Sequence, residues 1–254
     1  QGRFPEALAL YARVLTDSAP HVKKRDSVTV AHYREFIASE VHAQRARIFY
    51  LQDDMDSARV EMSAALESMR ERDSTDLVLL YESKAMFEQS LGMIYERLKQ
   101  PDLAREAYGK ALQEDLSYYA AHSRLAEMTL AKGDTATALS EMDLAVQLQP
   151  DDPALRFRYA EVLVRAGRDG DAAAQLRESI ALDPYYGAPH LLLAHIAEEQ
   201  NDLPRAIREW RALLLYDHEN VDAARHLAAV ATKAQSTDDA LYAEQRVVDL
   251  DPFD

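Results

Sequence analysis

Residues 119–152 read YAAHSRLAEMTLAKGDTATALSEMDLAVQLQPDD, and the pattern of small and apolar residues in this stretch recurs along the chain. Its Ala138 belongs to a series of alanines, each thirty-four residues after the last: Ala104, Ala138, Ala172, Ala206 and Ala240. A second small residue stands twelve positions before each of them, at Gly92, Ala126, Ala160, Ala194 and Ala228. A fixed period of this length predicts a stack of short units in which each unit contacts its neighbours and no single globular core forms.

The residues that follow each alanine predict its secondary structure. Small or apolar side chains come four, seven and eight positions after Ala138, at Met142, Ala145 and Val146, and this spacing marks one face of an α-helix. Pro150 then stops the helix, because proline cannot continue a helix interior. We therefore expect each unit to be a pair of antiparallel helices whose backbones approach closely at the two small residues.

The turn inside each pair also has a sequence signal. Gly133-Asp134 and Gly167-Arg168-Asp169 combine a helix-ending glycine with an acid that can cap the next helix. Asn201-Asp202 offers the same arrangement without glycine.

This pattern resembles the tetratricopeptide repeat, a thirty-four-residue helix-turn-helix with paired small residues and a terminal proline. Five full units fit it, at 85–118, 119–152, 153–186, 187–220 and 221–254, with Leu116 and His218 replacing the terminal proline in two of them. The resemblance implies an all-α fold, a right-handed α-solenoid of helix-turn-helix hairpins that runs through residues 1–254 as a single array of about six and a half repeats.

The N-terminal part of the chain departs from the regular repeat. Residues 1–21 look like a partial repeat, so we expect the sequence to begin inside a repeat of a longer chain. A long-helix repeat follows at 22–72, with an extension at 73–84. The helices predicted over 28–51 and 76–99 are longer than the others by about two or three turns. We expect these extensions to pair, to project beyond the array and to serve as a docking element.

Composition and charge narrow the classes of partner. The 254 residues carry a formal net charge of -15, most of it in 101–254, so this acidic protein should repel nucleic acid and attract basic protein surfaces. The absence of cysteine excludes disulfides and thiolate metal sites. No apolar run is long enough for a membrane span, and we expect a soluble compartment, either the cytoplasm or the bacterial periplasm or envelope.

The sequence lacks the common residue patterns that would indicate catalysis. The sequence contains no phosphate-binding loop, dinucleotide-binding turn, nucleophile elbow or zinc-protease motif. None of the eight histidines forms an i, i+4 pair, and His190 and His195 should point to different faces, so no metal site is predicted. We expect no catalytic residue, no cofactor and no enzymatic activity in this chain.

The resemblance implies that partners bind in a concave groove lined by the first helix of each unit. At the groove positions this sequence has apolar and acidic residues, which suit an extended or helical segment with apolar or basic side chains. The residues predicted to contact a partner are Met86, Gln89, Met93, Ser123, Glu127, Leu130, Phe157, Arg158, Glu161, Leu191 and His195. The Lys and Asn set of chaperone-binding members is missing, and so is the asparagine ladder of sugar-transferase repeats.

Three functional hypotheses follow. The first is a non-catalytic scaffold for protein–protein interaction and complex assembly, an adaptor or accessory subunit that binds a partner segment in the groove. The second is the regulatory or substrate-recruiting region of a larger multidomain enzyme. The third is an extrinsic subunit of a membrane-embedded complex that docks through the extended N-terminal helices.

Overall fold

The computed structural model describes residues 3–17, 27–70 and 84–251, without the side chains of 17–36 and 70. In these residues the secondary structure is helical, without strands, and the all-α prediction is confirmed. The helices are α1 Phe4–Asp17, α2 Ser27–Leu51, α3 Met55–Arg70, α4 Lys84–Arg97, α5 Pro101–Glu114, α6 Tyr119–Ala131, α7 Thr135–Leu148, α8 Pro153–Arg165, α9 Asp169–Leu182, α10 Gly187–Glu199, α11 Leu203–Tyr216, α12 Val221–Lys233 and α13 Thr237–Leu250. Of these, no helix combines the length and the apolar character that a membrane span requires.

The chain divides into two compact units, Gln1–Met128 and Thr129–Asp254. In the first unit α2 packs against α3, α3 against α4 and α4 against α5. In the second unit α8 pairs with α9, α10 with α11 and α12 with α13, while α9 also packs against α10 and α11 against α12. Each unit is therefore a stack of helical hairpins.

The helix boundaries repeat with the period of the small residues. The first helices of four successive hairpins begin at Tyr119, Pro153, Gly187 and Val221, each thirty-four residues after the last. At the N-terminal side, α2 has 25 residues and closely matches the long helix predicted over 28–51. The second long helix was predicted over 76–99, and α4 covers only Lys84–Arg97 of that range. Residues 76–83 of this predicted helix, and all but the last residue of the extension at 73–84, lie outside the described residues. The predicted pairing of the two extensions lies outside them as well.

Close helix packing occurs at the small residues. Ala104, Ala138, Ala172 and Ala206 are all 0% exposed, as are Ala126, Ala160 and Ala194 on the paired helices. In the last hairpin Ala228 and Ala240 are only partly buried against the core. The sequence pattern thus identified the helix contacts correctly in the regular hairpins.

A leucine in place of Ala172 should lower the free energy of unfolding by about 1–3 kcal/mol, because the added methylenes overpack a fully buried contact. The same replacement at Ala120, which is only half-buried, should cost much less. Urea denaturation followed by far-UV circular dichroism would compare the two variants. Equal losses would contradict the repeat register.

Each described hairpin turn contains one residue in the left-handed backbone conformation. These residues are Asp53, Lys99, Gly133, Gly167, Asn201 and Gln235, with φ between 56° and 84°. The N–H of the following residue bonds to a carbonyl five positions earlier, for example from Asp134 to Thr129 at 3.2 Å. This is the Schellman arrangement, which satisfies carbonyls at the end of the first helix. Glycine was predicted at two of these turns, but the same geometry recurs where side chains are larger.

Two of the three acids that were predicted to cap helices do so, and one does not. The carboxylates of Asp134 and Asp202 accept hydrogen bonds from the backbone N–H of Thr137 at 3.1 Å and of Arg205 at 3.2 Å. Asp169 was expected to cap α9, but the helix begins at Asp169 itself and Arg168 occupies the cap without a side-chain hydrogen bond. The prediction for α9 was wrong by one residue.

Glycine in place of Gln235 should raise the free energy of unfolding by up to about 1 kcal/mol. The left-handed conformation, φ 58°, is strained for a residue with a Cβ, and relief of this strain should exceed the entropy that glycine loses on folding. Alanine at the same position is the matched control and should give no gain. Urea denaturation of both variants tests this, and equal stabilisation by alanine would contradict it.

Candidate binding surfaces

The first unit contains a pocket of about 300 Å³ that includes the predicted groove residue Met93. Helices α2, α3 and α4 all contribute to its walls. The lining residues are Ala46, Arg47, Tyr50, Leu51, Met62, Ser90, Met93 and Ile94. Because most of these side chains are apolar, the pocket can bind an apolar side chain of another molecule.

The residues predicted to bind a partner on α4 lie close to this pocket. Gln89 donates a hydrogen bond from Nε2 to the Sδ atom of Met93 at 3.1 Å, and Met86 is partly buried against the core. At the pocket's α2 side, the guanidinium of Arg97 lies 5.1 Å from the centre of the Tyr50 ring. It also forms an ion pair with Asp53. These contacts hold the aromatic wall in place.

None of the four pocket residues on α2, which are Ala46, Arg47, Tyr50 and Leu51, was predicted from the sequence to contact a partner. Ala58 corresponds to the alanine series of the later units. Arg47 stands eleven residues before it, as the predicted groove residue Met93 stands before Ala104, and Tyr50 stands eight residues before it, as Leu130 stands before Ala138. Leu51, which is 70% exposed at the end of the same helix, completes the apolar wall.

Beyond the pocket, Glu96 is the centre of a hydrogen-bonded group. Its carboxylate accepts from the hydroxyl of Tyr108 at 2.6 Å and from Arg124 at 2.5 Å. Arg124 also donates to the predicted groove residue Glu127 at 2.6 Å. Burial and the bond to Glu96 raise the pKa of Tyr108. Burial opposes the charge of Arg124, but its hydrogen bond to Tyr108 and the two carboxylates raise the pKa of its guanidinium.

Ser123 was predicted to line the groove, but only 1% of its surface is exposed. Three successive residues, Ala121, His122 and Ser123, are buried in the first turn of α6. A side chain as short as serine does not extend beyond its neighbours there, and its Oγ has no hydrogen-bond partner among the described residues. Ser123 is therefore inaccessible to a partner.

In the second unit, the remaining predicted residues differ in exposure. Phe157 is partly buried, and its ring meets that of Tyr186 edge to face at a centroid distance of 5.6 Å. Leu191 is 40% exposed. Leu130 is half-buried, whereas Arg158 and Glu161 are exposed.

His195 belongs to a compact cluster of rings in the second unit. Its ring meets Trp210 at 5.0 Å and His226 at 5.2 Å, both edge to face, and His226 stacks on Trp210 at 4.7 Å. Glu198 accepts a hydrogen bond from the indole Nε1 of Trp210 at 2.5 Å. It also lies 3.3 Å from Nδ1 of His226.

This cluster occupies the same repeat positions as the group around Glu96. Each residue of the cluster stands 102 residues, or three repeats of thirty-four, after its counterpart in the first unit. The pairs are Met93 with His195, Glu96 with Glu198, Tyr108 with Trp210, and Arg124 with His226. In both units the carboxylate bonds to the ring on the second helix of its own hairpin and contacts the side chain on the first helix of the next. The two sites share a frame and differ in chemistry, because two imidazoles replace a thioether and a guanidinium.

Known proteins resemble this chain both in sequence and in fold. A curated relative, the TPR repeat-containing protein YpiA of Bacillus subtilis, is 26% identical over 182 residues, which are 68% of this chain and 41% of YpiA. The C-terminal part of a TPR repeat-containing protein from Cytophaga hutchinsonii has a similar structure, with a TM-score of 0.70 at 16% identity. That match covers 99% of this chain and 92% of the other.

A second solved structure, YrrB, is described as a TPR protein with an unusual peptide-binding site. It matches with a TM-score of 0.58 at 17% identity, over 74% of this chain and 93% of YrrB. Family models described as tetratricopeptide repeat match residues 90–153 and 191–254, and another matches 129–178. The first of these models alone covers half of the sequence, and the chain therefore belongs to the tetratricopeptide repeat family.

Proposed function

We propose that this chain is an interaction scaffold that binds a segment of a partner protein, and that the pocket beside Met93 accepts an apolar side chain of that segment. The observation that carries the proposal is the pocket itself, which lies between the first helices α2 and α4. Fold neighbours in this family support a protein-interaction scaffold, and one of them, YrrB, is described as having an unusual peptide-binding site.

The walls of the pocket suit such a contact. Methionine side chains from α3 and α4 provide an adaptable apolar surface that can fit differently shaped groups. The ring of Tyr50 gives a rigid wall, supported by Arg97. Rigid aromatic surface combined with adaptable methionine is typical of sites that bind one anchor side chain of a peptide.

Charge supports a segment that combines apolar and basic residues. The net charge of -15 attracts positively charged partners over long distances. In the first unit, Arg124 already pairs with Glu96 and Glu127, so these carboxylates are partly compensated. We therefore expect basic residues of the segment to respond to the net negative charge of the chain rather than to pair with these two carboxylates.

A glutamate in place of Leu51 should weaken binding of a partner peptide at least about tenfold, since a charge at the pocket wall must be desolvated when an apolar side chain enters. Peptides selected from a random display library against the 254-residue chain would serve as probes, and fluorescence anisotropy would measure their dissociation constants. Leu51 is 70% exposed, so the substitution should not affect folding.

The matched control is glutamate in place of Leu116, which is 79% exposed in the same unit and does not line the pocket. This variant should bind the selected peptides as the original chain does. Equal affinity of the Leu51 variant and the original chain would overturn the pocket proposal. Failure to select any peptide at micromolar affinity would argue against the scaffold function itself.

A further inference from the structure

We propose that His195, Glu198 and His226 form a binding site for a divalent transition metal of the Zn²⁺ type. Each residue offers one ligand atom, and the three atoms lie within 4.8 Å of one another. His195 and Glu198 are one turn apart on α10, and His226 comes from α12. The site belongs to the second unit and does not depend on the pocket described above.

The donor set fits this class of metal. Two imidazole nitrogens and one carboxylate oxygen are ligands that Zn²⁺ accepts in tetrahedral sites, where the fourth position is left for water or another donor. Tetrahedral zinc with bonds of about 2.0–2.1 Å requires ligand atoms about 3.3 Å apart. The three side chains are only partly buried, so small side-chain rotations can bring the ligand atoms together.

Neighbouring groups hold these ligands in place. The indole N–H of Trp210 donates to Oε1 of Glu198 at 2.5 Å, as groups around a metal commonly do to a ligating carboxylate. The ring of His226 is stacked on Trp210 at 4.7 Å, which limits its orientation. The carboxylate of Glu198 also lies 3.3 Å from Nδ1 of His226, so two of the three ligand atoms are already close together.

The equivalent site in the first unit indicates what is particular to the second. There, Glu96 is neutralised by the permanent cation of Arg124, and the position of His195 is taken by Met93. In the second unit both positions carry imidazole, which is uncharged in its metal-binding form. A carboxylate at this position thus contacts a built-in cation in one unit, whereas in the other it lies beside two imidazoles, which are metal ligands. A bound divalent cation would take the place that the guanidinium of Arg124 has in the first unit.

The proposal is tested by titrating the untagged, metal-free 254-residue chain with Zn²⁺ in an isothermal titration calorimeter. We expect one ion per chain with a dissociation constant on the order of micromolar. His226→Gln and His195→Gln should each weaken binding at least about tenfold, and Glu198→Gln should do the same while its amide oxygen can still accept from Trp210. His218→Gln is the control, because His218 is an exposed histidine outside the cluster, and it should leave the affinity unchanged.

A second measurement uses the single tryptophan of the chain, Trp210. Co²⁺, which can replace Zn²⁺ in such sites and quenches nearby indoles, should quench its fluorescence with a saturable dependence on concentration. The quenching should be lost in His226→Gln, and circular dichroism would confirm that this variant is folded. Absence of stoichiometric Zn²⁺ binding would overturn the proposal. So would equal weakening in the control and the cluster variants, because this would indicate scattered surface binding.

Discussion

Replacing Trp210 with alanine is expected to lower the free energy of unfolding by about 3–5 kcal/mol, the usual range for removal of a large buried aromatic side chain. Trp210 is 1% exposed and is among the largest fully buried side chains. Its ring is part of the buried core of the second unit, which also contains Ala194, Ala224 and Leu227. Alanine would leave a cavity that the fixed helices cannot close. Urea denaturation followed by far-UV circular dichroism measures the loss.

Phenylalanine at position 210 is the matched comparison. It keeps most of the apolar contact and removes the indole N–H that donates to Glu198. Since Glu198 is partly exposed, water can replace that donor, and we expect a smaller loss of about 1–2 kcal/mol. If both variants lost the same amount, the hydrogen bond rather than packing would dominate. A loss below 1 kcal/mol for alanine would show that the core relaxes around the cavity.

The second large effect is expected at Gly92, where alanine should lower the free energy of unfolding by about 1–3 kcal/mol. A Cβ at this position would lie 2.5 Å from Cε1 of Tyr108 and 2.8 Å from two further ring atoms. The ring cannot move easily, because Tyr108 is 0% exposed and its hydroxyl is bonded to Glu96. The expected loss of stability is opposite in sign to the effect of helix propensity, which favours alanine over glycine by about 0.5–1 kcal/mol.

Gly109 provides the control for this substitution. It lies inside α5, and a Cβ built there meets nothing within 4 Å outside its own helix. Alanine at Gly109 should therefore raise the free energy of unfolding by about 0.5–1 kcal/mol. Thermal or urea denaturation of the two variants should give changes of opposite sign. A gain in both would mean that Tyr108 shifts without cost.

The regular hairpins could be predicted from sequence because small residues recur at one spacing. A contact that admits only alanine or glycine leaves the same signal in every unit, as at Ala138 and Ala172. The left-handed turns were predictable only where glycine or asparagine occupies them. At Lys99 and Gln235 the residue type gives no hint, and only alignment with Gly133 in the neighbouring unit would have indicated the conformation.

The exposure and contacts of the candidate binding residues were less predictable, for two physical reasons. Exposure depends on side-chain length as well as on helix position, and so Ser123 is buried at a position where Gln89 is partly accessible. Side chains on the first helices of two successive hairpins also meet, and the positions that meet are offset by about one helical turn. His226 follows His195 by 31 residues, three fewer than one repeat, so the two imidazoles meet across different helices. Spacing within a single helix does not indicate such a contact.

The turns that close each hairpin have a consequence for folding speed. Every such turn is completed by hydrogen bonds between backbone groups five positions apart, so two helices can associate without waiting for distant parts of the chain. Chains rich in contacts between residues near in sequence fold rapidly, typically within microseconds to milliseconds. In a stack of similar hairpins, nucleation can begin at any one of them and spread to its neighbours. Newly synthesised repeats can therefore become structured while the rest of the chain is still being made.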